Sequence, residues 1–180
     1  SGGERCARVT STGAPARRVE GASTPSMNDA PPSNARAITA YDADAHRAVW
    51  LGGDDSTWEW EGGSWAAIAG ATPASQSGAA MATDPSAGVL LFGGQLSDGT
   101  TSREPWRYAS HRWPQLNPSG PPARVGAAMS FDLDHHRTLL RGGAPCTDRR
   151  MWSWSGTEWA IVDSAGPPAR RDASMTYDLS

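Results

Sequence analysis

The chain has 180 residues and a formal net charge of −3, from 16 basic residues, all arginine, and 19 acidic ones. Leu, Ile, Val and Phe together number 20, about 11% of the chain, whereas roughly 20% is the level below which composition indicates disorder. The small net charge and nine tryptophans argue for a folded chain, because each tryptophan buries about 150–250 Å². A balanced charge without a basic cluster excludes nucleic acid as a partner, and no apolar run reaches the ~20 residues of a membrane-spanning helix. We therefore expect neither nucleic-acid binding nor membrane insertion.

The chain contains an internal repeat. Four short segments of similar sequence end in aspartate at Asp42, Asp84, Asp132 and Asp178, which gives intervals of 42, 48 and 46 residues. A proline series has the same three intervals: Pro31, Pro73, Pro121 and Pro167. Tryptophans and methionines keep the last two intervals. Independent residue types that share one set of spacings indicate a repeated structural unit.

In chain order, residues 1–30 fit the repeat worst. We interpret them as an N-terminal extension or as the remnant of a preceding unit. Complete units follow at residues 31–72, 73–120 and 121–166. Residues 167–180 repeat only the beginning of a unit, which predicts the first strand of a further one.

Each unit has the same internal order, which predicts four short β-strands. A small-residue segment ending in Asp comes first, then a polar turn, an apolar run closed by two glycines, a loop of variable length, an alternating Trp-x-Trp or Trp-x-Tyr segment, and a lone Trp. Trp at positions i and i+2 places both rings on one face of a strand, and helical periodicity is absent. The repeat marks are Gly52, Gly53, Trp58, Trp65, Gly93, Gly94, Trp106, Trp113, Gly142, Gly143, Trp152 and Trp159. Four short strands per unit predict an all-β fold, a partial β-propeller of four-stranded blades.

Two features of the repeat have a predicted physical role. The glycine pair at a strand end allows positive φ and lets a bulky ring from a neighbouring strand or blade lie against the backbone. The Asp after each first strand can accept backbone N–H groups in the hairpin turn.

The pattern of apolar run, Gly-Gly, Trp-x-Trp and lone Trp resembles the kelch repeat. The fuller form, with Ala-Ala-Met-x-Phe-Asp before it and Gly-Pro-Pro-Ala-Arg after it, is similar to bacterial kelch repeats related to the central domain of galactose oxidase. The resemblance covers Pro31 to the C-terminus. It implies kelch-type blades and indicates little about function, since such propellers host many activities. It also implies that three units do not close a ring, so the remaining blades are expected from the same longer chain or from partner chains.

The tryptophans fall at positions that the resemblance assigns to packing between blades, and Trp50 is predicted to be core as well. Arg124 and Arg170 follow Pro-Pro-Ala at equal places in their units. A structural role, with bonds to loop carbonyls or carboxylates, is favoured over an anion-binding ring because other units carry Asn34 and Gln76 there.

The segment from Asp132 to His136 has the residue types of a metal site. Adjacent histidines rarely direct both rings to one centre, so a solvated hairpin turn is favoured and no metal is expected. Cys6 and Cys146 form one disulfide or are unrelated, and the sequence leaves both open.

The loops after the glycine pairs vary most in length, and variable loops on a rigid scaffold are where specificity is usually placed. Candidate binding residues on these loops are Asp54, Asp55, Asp98, Arg103, Asp148, Arg149 and Arg150.

No catalytic residues and no cofactor are predicted. The copper chemistry of galactose oxidase requires a set of Tyr, His and Cys ligands, and the tyrosines here lie in repeat register. The leading hypothesis is a non-enzymatic, protein- or glycan-binding scaffold in a bacterial secreted or cell-envelope protein. The alternatives are a piece of a larger galactose-oxidase-like or sialidase-like enzyme with its active residues on other blades, and a structural subunit of an assembly that completes the ring.

Overall fold

The computed structural model of the chain describes residues 30–32, 37–74, 77–117, 119–145 and 148–178. Both cysteines lie outside these ranges, and so does the predicted Cys6–Cys146 pairing. The same holds for Asn34, Gln76 and nearly all of the segment predicted as an N-terminal extension.

The described residues form eleven β-strands in three antiparallel sheets and contain no helix. The first sheet contains β1 (Ile38–Asp42), β2 (Arg47–Leu51), β3 (Thr57–Glu61) and β4 (Ser64–Ile68). The second contains β5 (Ala80–Asp84), β6 (Gly88–Phe92) and β7 (Pro105–Tyr108). The third contains β8 (Val125–Asp132), β9 (Arg137–Ala144), β10 (Met151–Trp154) and β11 (Trp159–Asp163).

Within each sheet the strands lie in chain order, and β5 contacts both β1 and β8. The first strands of successive sheets are therefore neighbours, as they are around the axis of a propeller. This arrangement confirms the predicted all-β fold with partial propeller-like blades. The described ranges hold no helix long and apolar enough to cross a membrane.

The second blade lacks the predicted fourth strand among its described residues. The segment after β7 makes only isolated pairings, Ala109 with Arg112 and Trp106 with Gln115. Pro114 explains the interruption, because it has no N–H to donate and offers only its carbonyl, which accepts from the Arg107 N–H. The four-stranded prediction therefore holds for the first and third blades only.

Residues 167–178 also differ from the predicted strand. Their backbone is irregular, and the Asp172 N–H donates to the Gly126 carbonyl at 2.8 Å. A strand needs a partner for its backbone groups, and among the described residues no second strand pairs with this segment. The repeat register is still kept, because Gly126 donates in the same way to Gly78, and all three residues have positive φ.

The hydrogen bonds that aspartates make in the hairpin turns recur in each blade, as predicted. In each first hairpin the aspartate side chain accepts a backbone N–H from the turn that follows it. The donor–acceptor pairs are Ala45 to Asp42, Ser86 to Asp84 and His135 to Asp132. The side chains of these aspartates thereby fix the turns that join first and second strands.

The hydrophobic core lies between the blades. All five residues of β6 are buried, and its side chains alternate between two neighbours. Val89 and Leu91 pack with Val49 and Leu51 of the first blade, whereas Leu90 and Phe92 pack toward the third. The third blade contributes Met129, Leu140, Trp152, Trp154 and Trp159 to that second interface. Period-two alternation thus lets one strand serve two interfaces.

The prediction that the tryptophans pack between blades holds for the second and third blades but fails at Trp60. Trp60 is 39% exposed, whereas its repeat equivalents Tyr108 and Trp154 are 0% and 3% exposed. The difference follows from geometry, because this position faces the preceding blade and the described residues include no blade before the first. Trp50 is buried as predicted, with its ring against Gly52.

The glycine pairs of the second and third blades have positive φ, from +71° to +99°. A Cβ on Gly93 would lie 2.5 Å from the Arg124 carbonyl oxygen, and one on Gly142 would lie 2.4 Å from that of Arg170. The group that approaches is therefore the backbone leading into the next blade, and not the predicted aromatic ring. In the first pair, a Cβ on Gly52 would meet the Asp54 carboxylate and the ring of Trp50, which stands on the preceding strand of the same blade.

We predict that Gly93→Ala destabilises the chain by about 3 kcal/mol or more, because it adds a collision with the Arg124 carbonyl to the strain of a positive φ. Gly99→Ala is the matched control, since Gly99 also has positive φ but has open space around it. It should cost only about 1–2 kcal/mol. Denaturant unfolding measures both, and equal losses would contradict the role assigned to the inter-blade contact.

Candidate functional site

The variable loops share one edge of the fold. Because first and second strands are antiparallel, the end of each second strand lies beside the start of its first strand. We call this edge the loop face: it carries the loops after β2, β6 and β9 and the segments that lead into β5 and β8. Backbone bonds connect neighbouring blades here, with Gly94 donating to the Arg124 carbonyl and Arg124 donating to that of Ser102. Loops of different blades therefore meet at Arg124.

The Arg124 side chain is the centre of the best-defined polar cluster on the loop face. It is only 3% exposed. Its Nε donates to the Pro122 carbonyl and its Nη1 to the Gly142 carbonyl, both at 3.0 Å, and its Nη2 donates to Asp148 at 2.6 Å. This agrees with the predicted structural role, in which the arginine bonds loop carbonyls and a carboxylate.

Asp148 collects donors from three side chains. Besides Arg124, its carboxylate accepts from Arg150 Nε at 2.7 Å and from Trp152 Nε1 at 3.0 Å. Burial would raise the pKa of Asp148, but the hydrogen bonds from Arg150, Arg124 and Trp152 outweigh it and hold the pKa well below its usual range. The carboxylate is therefore ionised throughout the physiological range and fully engaged.

Arg124, Asp148 and Arg150 line a pocket of about 400 Å³ between the segment leading into β8 and the loop after β9. Its walls are Pro122, Ala123 and Pro145, and its charged groups are Arg124, Asp148, Arg149 and Arg150. The Arg150 guanidinium lies 4.9 Å from the centre of the Trp152 ring, and Arg149 is exposed. The structure thus brings together Asp148, Arg149 and Arg150 of the predicted site and adds Arg124.

The other predicted loop residues do not line this pocket. Asp98 sits in a tight turn where it accepts from the N–H and hydroxyl of Thr100, and Arg103 is exposed. Those two hydrogen bonds lower the pKa of Asp98. Asp54 accepts from Ser56 in the loop after β2, and Asp55 adopts a positive φ beside it. Their geometry is that of polar turns, and of the predicted loop residues those of the third blade line this pocket.

The turn containing His135 and His136 is a solvated hairpin, as favoured from the sequence. His135 is 64% exposed and bonds Asp132, and His136 has a φ of +48°. His46 and Gly88 occupy the same turn position in the other blades and also have positive φ. Across the described residues no group of three or more His, Cys, Asp or Glu side chains is placed to hold a metal ion.

A buried charged cluster between the first two blades escaped sequence reasoning. Glu59 is 4% exposed and accepts from Tyr108 Oη at 2.6 Å, from Arg47 Nη1 at 2.9 Å and from His111 at 2.9 Å. Burial raises the pKa of Tyr108, and its bond to Glu59 raises it further, so the phenol stays a neutral donor. Glu59 lies between Trp58 and Trp60, so its side chain points to the opposite face of the strand from both rings. That alternation was the one signal of this cluster in the sequence.

Comparison with known proteins supports the fold alone. No family model matches the chain, and no curated protein matches it. Among solved structures it is similar to that of YjhT, with a TM-score of 0.54 and 15% sequence identity over 71% of this chain and 51% of that one. The chain thus spans about half the length of that structure. At this identity the likeness shows a shared propeller-like β fold.

We predict that Asp148→Asn destabilises the chain by about 3 kcal/mol at neutral pH, because it leaves the buried Arg124 guanidinium without its counter-charge. Asp98→Asn is the matched control, since it removes an exposed carboxylate that forms no ion pair within the described ranges and should leave stability nearly unchanged. Denaturant unfolding of both variants provides the comparison.

The stability that the Arg124–Asp148 ion pair provides is predicted to depend on pH. The pKa of Asp148 is lower in the folded chain than in the unfolded one, so its stabilisation is complete above about pH 4 and lost as the pH falls below it. Between pH 7 and pH 2 the parent chain should therefore lose more stability than Asp148→Asn. Equal losses of stability in the parent chain and in Asp148→Asn would contradict the low pKa of Asp148 in the folded chain.

Proposed function

We propose that the chain is a non-catalytic, kelch-type propeller scaffold that binds a protein or glycan ligand through the loop face. The observation that carries this proposal is the pocket at Arg124, where two loop arginines, Arg149 and Arg150, stand on a rigid, fully bonded base. Variable loops anchored on a rigid sheet are a common arrangement for ligand binding. The kelch-like order of repeat marks supports the finer fold type, and extracellular or cell-envelope localisation in a bacterium remains part of the proposal.

Binding by purified chain to arrayed glycans and arrayed proteins tests this function. We expect at least one saturable ligand whose binding falls several-fold in Arg149→Ser and in Arg103→Ser, two changes on the loop face. Arg112→Ser is the matched control, because Arg112 is also exposed but follows β7 at the opposite edge. The absence of any saturable ligand, or an equal loss in all three variants, would contradict a loop-face binding function.

A second role, in an assembly that supplies further blades, is favoured by the outer face of the first blade. Trp60 and Tyr41 are 39% and 50% exposed, and the Trp65 ring lies 5.3 Å from that of Trp60. The equivalent pairs, Tyr108 with Trp113 and Trp154 with Trp159, are buried against the preceding blade. Continuity with these two interfaces supports the proposal that the aliphatic face of another blade, from the same longer chain or from a partner chain, covers these rings.

Sedimentation of the chain over a range of concentrations tests the partner-chain form of this role. We expect association that Trp60→Ser weakens about tenfold or more, because it removes a large apolar contact. Ile161→Ser serves as control, since Ile161 is 46% exposed but lies on the outer strand β11 of the third blade. A species of 19.0 kDa at every concentration would leave only further blades of a longer chain as the occupant.

A further inference from the structure

The pocket at Arg124 holds more positive than negative charge. Three arginines, Arg124, Arg149 and Arg150, line it with one carboxylate, that of Asp148, which leaves a surplus of two unit charges. Arg124 is neutralised by Asp148 and has a bond on each of its three nitrogens. Asp148 also pairs with Arg150, so one carboxylate serves two cations, and the exposed Arg149 adds a third.

Arg150 is held in place with its donor edge unused. Its Nε donates to Asp148, and its Cζ lies 4.9 Å from the centre of the Trp152 ring, so two contacts hold the group in place. Within the described ranges, Nη1 and Nη2 of Arg150 make no hydrogen bond, and Arg149 has no side-chain partner. A planar guanidinium with two parallel free N–H groups matches an oxyanion bidentately, and its fixed orientation reduces the entropy lost on binding.

The remaining walls do not compete for these donors. Pro122, Ala123 and Pro145 offer no side-chain acceptor, and the oxygens of Asp148 already receive donors from Arg124, Arg150 and Trp152. Apolar walls also weaken the screening of charge in the pocket. Among the described residues that line the pocket, no side chain offers a free acceptor to the Arg150 fork, and a ligand or water can supply one.

We propose that this pocket binds an oxyanion, a carboxylate, sulfate or phosphate group, with Arg150 Nη1 and Nη2 as a bidentate clamp and Arg149 as the second cation. The inference rests on the proposed loop-face function and deepens it, because it assigns the chemistry of the ligand group. Arg124 and Asp148 act as positioning residues, since they hold Arg150 and the pocket wall.

Titration calorimetry of the full chain with acetate, sulfate and phosphate, at constant ionic strength, tests the site. We expect saturable binding of at least one anion in the millimolar range or tighter, and the tightest of the three identifies the ligand group. Arg150→Lys keeps the charge but removes the fork, and should weaken binding about tenfold or more. Arg112→Lys, the same change at an exposed arginine on the opposite edge of the fold, should leave binding within about twofold.

Two results would overturn the site: no saturable binding of any of the three anions, or equal weakening by Arg150→Lys and Arg112→Lys. A thermal melt of each variant shows whether the fold is intact. The proposed function and the oxyanion site can fail independently of each other. If arrayed ligands bind with loop-face dependence but the anions do not, the scaffold function stands and the oxyanion site falls. If the anions bind with the expected pattern but no arrayed ligand does, the site stands and the scaffold function falls.

Discussion

The packing of one blade's aromatic side chains against the aliphatic face of the preceding blade holds the three sheets together. Tyr108 and Trp113 cover Val49 and Leu51, and Trp154 and Trp159 cover Leu90 and Phe92. Burying ~150–250 Å² of a tryptophan at ~25 cal/mol per Å² gives an upper value of ~4–6 kcal/mol per ring, more than an aliphatic side chain supplies. Few aliphatic residues are therefore needed, because each sheet buries its faces against the neighbouring sheets.

The two interfaces share this packing but differ in their polar contacts, and the difference specifies the order of the blades. At the first interface, Tyr108 and Trp113 donate to Glu59 and Thr57. At the second, Trp154 stands in place of Tyr108 and has no hydroxyl, and Pro105 stands in place of Thr57, so the Trp159 N–H has no partner among the described residues. If the third blade were packed on the first, Glu59 would lose a donor, and an unsatisfied buried carboxylate is costly.

Local and repeated features could be predicted from the sequence, whereas features that depend on contacts across the repeat could not. The strands, the aspartate turns and the positive φ of Gly93 follow from period-two alternation and from intervals that recur. The loss of a fourth strand at Pro114 was missed because the repeat pattern continues through it. The exposure of Trp60 depends on what lies beside its blade. The Arg124–Asp148 pair joins residues 24 positions apart, and no pattern in the sequence marks them as partners.

The inter-blade backbone bonds connect this packing to the candidate site. The Arg124 carbonyl accepts from Gly94, and its guanidinium donates to Gly142, so the residue at the base of the pocket is fixed by the same glycine pairs that end the buried strands. Its position is therefore set by the core and not by the loop that ends at Arg150. Within the described part of the loop, the Asp148 carboxylate accepts from both Arg124 and Arg150, and so connects this base to the exposed cations. A repeat built in this way can vary its loops from blade to blade without altering the contacts that make it fold.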